Sequence, residues 1–137
     1  MNAVDLQQSH WDDLTAAATA ASALAYCPYS GFRVGAAVLT GDGAIVTACN
    51  VENASYGLTV CAERNAIFRA VAEGARRVLA VAIYTPTAAP VTPCGACRQV
   101  IAEFGRDAEI LCACDGGKVT RHSMAELLPY AFDLSAR

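Results

Sequence analysis

Apolar and polar positions along the chain fall into blocks whose period switches between helical and extended. Asp5–Ala25 carries Leu6, Leu14 and Leu24 among strong helix formers, with alanines that permit close approach, and predicts a helix that Pro28 stops. Arg33–Thr40 is rich in Val and Ala and predicts a strand. Gly41-Asp42-Gly43 signals a turn, and Ala44–Val51 reads as the returning strand of a hairpin. Asn53–Thr59 is a polar loop. Val60–Glu73 places Ala62, Ala66, Ile67, Ala70 and Val71 at helical spacing, with Gly74 as its stop. Val78–Tyr84 is a continuous apolar run, expected of a strand covered on both faces. A proline-rich loop over Thr85–Pro93 leads to a helical pattern at Cys94–Phe104, ended by Gly105. Glu109–Ala113 predicts a buried strand, Asp115-Gly116-Gly117 a turn, and Lys118–Arg121 a short strand. Ser123–Leu128 predicts a last short helix, with Ser123 and Glu126 at capping-box spacing. The order α-β-β-α-β-α-β-β-α predicts one domain over residues 1–137, an α/β fold built as a three-layer α/β/α sandwich around a mixed five-stranded sheet.

Composition narrows the functions open to such a domain. A chain of 137 residues buries roughly two thirds of its unfolded surface, so it needs no disulfide staples. Ten Lys and Arg against 13 Asp and Glu leave a net charge of -3, which argues against nucleic-acid or membrane-surface binding, because phosphate contacts need a basic face. The blandest stretch, Thr15–Tyr26, is too short to span a bilayer. The N-terminus is acidic and polar where a secretory signal would be basic and then apolar, so a cytoplasmic protein is expected. Seven cysteines in such a compartment point to metal binding or catalysis before disulfides.

Three of those cysteines sit at predicted helix starts. Cys61-Ala62-Glu63-Arg64 opens one helix, and Pro93-Cys94-Gly95-Ala96-Cys97-Arg98 opens another. Cys94 and Cys97 are three apart, so a first helical turn turns both sulfurs to one side. A helix N-terminus lowers a thiol's pKa and favours the thiolate that a metal needs. Three thiolates on Zn²⁺ leave one tetrahedral position for water, the pattern of a catalytic site. Two alternatives stay open on spacing alone. One is a closed site that draws a fourth thiolate from Cys27, Cys49, Cys112 or Cys114, four residues otherwise expected to be small buried hydrophobes. The other is a redox pair at Cys94 and Cys97, which leaves Cys61 and Glu63 without a role. Glu63 favours the open catalytic site. It stands two residues after a candidate ligand, close enough to take a proton from a zinc-activated water. His10 and His122 lie far from both motifs and are expected to be non-ligands.

Taken together, the motifs make the chain resemble the small homotetrameric cytidine deaminases of nucleoside salvage. The resemblance spans Tyr29-Ser30-Gly31-Phe32, Val34-Gly35-Ala36-Ala37, Asn50-Val51-Glu52-Asn53-Ala54-Ser55-Tyr56, the two cysteine motifs, and Leu127-Leu128-Pro129 with Phe132. Three cysteines with a nearby non-ligand Glu are a known pattern of zinc deaminases. The resemblance implies one zinc per subunit on Cys61, Cys94 and Cys97, and hydroxide attack on C4 of cytosine. Glu63 would carry protons to N3 and to the leaving amine. It further implies that Asn50 and Glu52 bind the ribose, that the Ala62 N–H holds the base carbonyl, and that Phe32 packs on the base. Ala54, Tyr56 and Phe132 would reach a neighbouring subunit's pocket in a homotetramer. The partner implied is a free pyrimidine nucleoside, with no nucleic acid and no membrane. Three thiolates weaken the metal as a Lewis acid, and a cationic donor to them would restore it. Arg64 and Arg98 both follow ligand segments, and the resemblance favours Arg64.

Overall fold

The structure, a computed structural model, describes residues 6–134. Its elements are α1 (Gln8–Ser22), β1 (Gly35–Thr40), β2 (Ile45–Cys49), α2 (Ala62–Ala72), β3 (Val78–Thr85), α3 (Gly95–Phe104), β4 (Glu109–Cys114), β5 (Val119–Ser123) and α4 (Met124–Leu127), with a 3-10 turn at Tyr56–Leu58. The strands form one sheet in the order β2-β1-β3-β4-β5. β1 runs antiparallel to both β2 and β3, β3 runs parallel to β4, and β4 runs antiparallel to β5. The parallel pair requires a crossover, which α3 supplies.

Two apolar layers hold the sheet. On one face Trp11, Leu14 and Ala18 of α1 pack on Ala37, Leu39, Leu79, Ala80, Ala82, Leu111 and Ala113. On the other, Ala66 and Ile67 of α2, Ile101 of α3, and Met124 and Leu127 of α4 pack on Val38, Val81, Ile83 and Ile110. This is the three-layer α/β/α sandwich with a mixed sheet that the element order implies. Strand β3 is buried on both faces along most of its length, which explains its unbroken apolar run. A shift in register after Leu39, which pairs with Ala80 while Thr40 pairs with Val78, sends Leu79 and Ala80 to the same layer, the signature of a bulge.

Several boundaries differ from the periodicity. Helix α1 begins at Gln8, and the expected start at Asp5 lies outside the described residues. Helix α2 begins at Ala62, because Val60 is drawn into an antiparallel bridge with Val51 and Cys61 is extended as the N-cap. Strand β2 ends at Cys49, and Val51 bridges Tyr26 and Val60 instead. The capping box at Ser123 and Glu126 is present, and the helix it starts covers only Met124–Leu127.

Gly35 is required by close approach. A Cβ there would lie 1.8 Å from the carbonyl oxygen of Ala18, on the backbone of α1. Gly35→Ala must therefore push helix and sheet apart and is expected to cost about 3 kcal/mol or more. Urea unfolding checks this, and a variant as stable as the parent would show that α1 does not lie on β1 in this way.

Candidate active site

Both cysteine motifs end at the same place because the N-termini of α2 and α3 lie next to one another. Cys61 caps α2 and Cys94 caps α3, each in extended backbone. Their sulfurs are 3.8 Å apart. Cys97, one turn into α3 and fully buried, completes a cluster whose three sulfurs all lie within 4.8 Å of one another. Among the described residues no further His, Cys, Asp or Glu belongs to this cluster. Cys27 and Cys112 are buried, as expected of small hydrophobes. Cys49 and Cys114 are partly exposed instead, and the Cys114 thiol lies near the carbonyls of Ala88 and Lys118.

The donor set fits zinc. Zn–S bonds of about 2.3 Å on a tetrahedron put neighbouring sulfurs about 3.8 Å apart. The electrostatics are those of a site prepared for a cation. The Cys61 thiol is pulled down to about 5, first by a hydrogen bond from Cys97, with Arg64 and Cys94 adding to it. The Cys97 thiol is pushed up, mainly because it donates to the Cys61 thiolate. Arg64 Nη2 donates to Cys61 Sγ at 3.4 Å, and this bond raises the pKa of the guanidinium. Arg64 Nε is buried without a hydrogen-bond partner.

Arg98 does not join the thiolates. Its guanidinium donates instead to the carbonyls of Pro93 and Leu127 and to the Thr92 hydroxyl. Of the two arginines, Arg64 is the one whose guanidinium is bonded to a sulfur of the cluster.

Glu63 is buried on the first turn of α2. Burial raises its carboxyl to about 7, and the nearby Cys61 thiolate pushes the same way. It lines a cavity of about 330 Å³ together with Cys61, Cys94, Ala62, Phe32, Asn50 and Glu52. Ile83 and Thr85 close one end, at the carboxyl end of β3, and Val91 and Thr92 close another.

Asn50 and Glu52 hold the wall of the cavity as well as lining it. Asn50 Nδ2 donates to Phe32 O at 2.7 Å, and Asn50 Oδ1 accepts from Val34 N at 2.9 Å. Glu52 accepts from the backbone of Tyr29 and Ser30 and from the Ser30 hydroxyl, which keeps its carboxyl below the usual range and ionised. Ala54, Tyr56 and Phe132 do not line this cavity. All three are exposed, and Tyr56 touches Tyr29 edge-on with ring centroids 6.0 Å apart.

Sequence reasoning missed Asn65, whose amide donates to the carbonyls of Cys49 and Val60 and ties the start of α2 to the end of β2. An amide on a first helical turn is a weak signal for such a tie. It also missed Ser30 and Thr92, whose positions depend on loops that spacing does not describe, and Thr85, which ends β3.

A three-thiol cluster beside a buried carboxyl, at the meeting of two helix N-termini, defines a zinc-hydrolase type of site. The chain matches the family described as "Cytidine and deoxycytidylate deaminase zinc-binding region" over residues 9–114, and it belongs to that family. It is 51% identical to a cytidine deaminase of Halalkalibacterium halodurans over 109 residues, covering 79% of this chain and 83% of that relative. It is 46% identical to a cytidine deaminase of Mycobacterium tuberculosis over 124 residues, covering 90% of each. The crystal structure of a cytidine deaminase from Burkholderia pseudomallei superposes with a TM-score of 0.85 at 49% identity, covering 88% of this chain and 98% of that one. The cofactor of this chain is zinc, one ion per chain, and the three-cysteine cluster suits it. No helix among the described residues is long and apolar enough to cross a membrane.

Proposed function

We propose that this chain, acting as a single catalytic domain, hydrolyses cytidine and 2'-deoxycytidine to uridine and 2'-deoxyuridine with release of ammonia, as an enzyme of pyrimidine nucleoside salvage. The observation that carries this reading is the meeting of three cysteine sulfurs beside buried Glu63 in a cavity of nucleoside size. Cys61, Cys94 and Cys97 hold the zinc, which when bound supplies the Lewis acidity that makes water nucleophilic near neutral pH.

Glu63 moves the protons. It takes one from the water that adds to C4 and delivers it to N3, where it stays in the product. It then takes the proton of the new hydroxyl at C4 and passes it to the amine, which leaves as ammonia when the C4–N bond breaks. A carboxyl whose affinity for protons lies near 7 can both accept and release at neutral pH. Arg64 draws charge from the Cys61 thiolate and so strengthens the metal as an acid.

The remaining residues orient the substrate. Ionised Glu52 can only accept hydrogen bonds and suits a ribose hydroxyl, while Asn50 keeps one N–H donor beyond its bond to Phe32 O. The Ala62 N–H lies at the first position of α2, where the helix offers no internal acceptor, and binds the base carbonyl. Phe32 packs on the ring. Ala54, Tyr56 and Phe132 serve a neighbour's pocket in a homotetramer, a reading supported by their exposure here. A cytoplasmic setting suits seven cysteines that are all free.

Incubation with cytidine is expected to lower the cytosine absorbance band and release one ammonia per uridine formed. Free cytosine lacks the sugar that Asn50 and Glu52 would hold, and its kcat/KM is expected to be at least about 100-fold lower, the equivalent of two lost polar contacts. Equal rates on both would remove the nucleoside assignment, and no turnover of either would remove the deaminase reading.

A further inference from the structure

Cys94 is the least secured of the three thiols. It is exposed, whereas Cys97 is fully buried and Cys61 partly so. It follows the loop after β3, which runs from residue 86 through Pro90 and Pro93, and no side chain caps the helix it starts. That loop also supplies Val91 and Thr92 to the cavity wall. Pro93 is buried, but Val91, Thr92 and Cys94 on either side of it are exposed, so packing of these three side chains does little to hold them in place.

We propose that Arg98 is the positioning residue for the Cys94 arm of the metal site and for the cavity wall beside it; the inference rests on the zinc deaminase reading above. Arg98 lies on α3, one residue after the buried Cys97, so its own base is fixed. From there Nε donates to Pro93 O at 2.7 Å, Nη2 to Thr92 Oγ1 at 3.0 Å, and Nη1 to Leu127 O at 2.9 Å. The first bond holds the peptide that joins Pro93 to Cys94. The second holds a residue of the cavity wall. The third ties both to the end of α4, whose Leu127 is in the core. One planar fork thus fixes the loop against two buried elements at once. A lysine would keep the charge but has no fork to span three acceptors in different directions. Partners of metal ligands typically govern metal affinity by 10- to 100-fold.

The test is zinc release from the purified full chain into a chelator, with kcat and KM measured beside it. Arg98→Ala is expected to release zinc at least about 10-fold faster and to raise KM, since ligand and wall loosen together. Arg98→Lys is expected to recover only part of the loss. Arg69→Ala serves as the control for general loosening. Arg69 also bonds a backbone carbonyl, that of Thr47, and pairs with Glu73, but away from the cavity. Its release rate should stay within about twofold of the parent. If Arg98→Ala does not fold, Arg98→Lys and Thr92→Val are read by the same criteria. Release within twofold of the parent for the Arg98 variants overturns the proposal, as does an equal acceleration in Arg69→Ala. Full rescue by lysine overturns the role of the fork. A parent chain that holds no zinc overturns the deaminase reading and the clamp together, whereas a zinc-holding parent with unaffected Arg98 variants overturns the clamp alone.

Discussion

Glu63→Gln is expected to lower kcat on cytidine by about 10³- to 10⁴-fold while leaving zinc content unchanged, the range for loss of a positioned proton carrier. Gln keeps the shape and the hydrogen-bonding atoms but cannot take up a proton. The zinc stays because Glu63 is not among the three clustered sulfurs. The same change is expected to stabilise the zinc-free protein, with a sign that can be worked out. The carboxyl ordinarily titrates near 4.5, as it does in the unfolded chain, and burial raises it to about 7 when folded. Between those values the folded chain holds a proton that the unfolded chain has lost, so stability falls as pH rises through the window. The penalty is complete above about pH 7 and amounts to about 3 kcal/mol at 1.4 kcal/mol per unit. Cys61 works in the opposite direction. Its thiol is at about 5 when folded against 9.0 ordinarily, so it adds stability as pH rises above 5. The parent's own curve therefore mixes two slopes, and the difference between variant and parent reports Glu63 together with its coupling to the neighbouring thiols. Denaturant unfolding with chelator present should show nearly equal stabilities below about pH 4.5 and a more stable variant near pH 8. A variant with full turnover would remove Glu63 from the chemistry.

Cys97→Ala is expected to bring zinc from one ion per chain to less than about a tenth, and turnover with it. Cys97 is the buried member of the cluster, and two remaining thiols cannot hold the ion tightly. The stability effect should divide by metal content. Without zinc, replacing a small buried thiol by a methyl group leaves a modest void and costs about 1 kcal/mol. With zinc, the parent gains the free energy of binding to the folded state, which the variant forfeits. Thermal unfolding with and without chelator should therefore give a large shift for the parent and almost none for Cys97→Ala. Metal analysis after gel filtration completes the measurement. Stoichiometric zinc in the variant would mean that other groups carry the ion.

The elements most legible in the chain were those whose cause is local. The apolar run of β3, the Gly41-Asp42-Gly43 hairpin and the capping box at Ser123 each follow from neighbouring residues, and each is present. The failures came where distant partners compete. Val60 has helical neighbours yet pairs with Val51, because a backbone bridge there is available only in the folded chain. Arg64 is the third residue of α2 and Arg98 the fourth of α3, so the two leave their helices in different directions. One meets a thiolate and the other meets three oxygens of a loop and a helix end, partners that only the folded chain brings within reach.

Residue types and spacing marked Cys61, Cys94, Cys97 and Glu63 as the candidate site, because a helix start with Cys three apart, and a second start with Cys and Glu two apart, present their side chains by local geometry, but spacing left a closed site and a redox pair open. The order of helices and strands was sufficient for the layered fold. Only the tertiary structure decided that Cys61 and Cys94, 33 residues apart, bring their sulfurs to 3.8 Å. It alone put Glu63 in a desolvated position and turned Asn50 and Glu52 to the backbone of the opposite wall. Those outcomes depend on packing α2 and α3 side by side on one face of the sheet, and on the burial that follows. No stretch of sequence contains that information by itself.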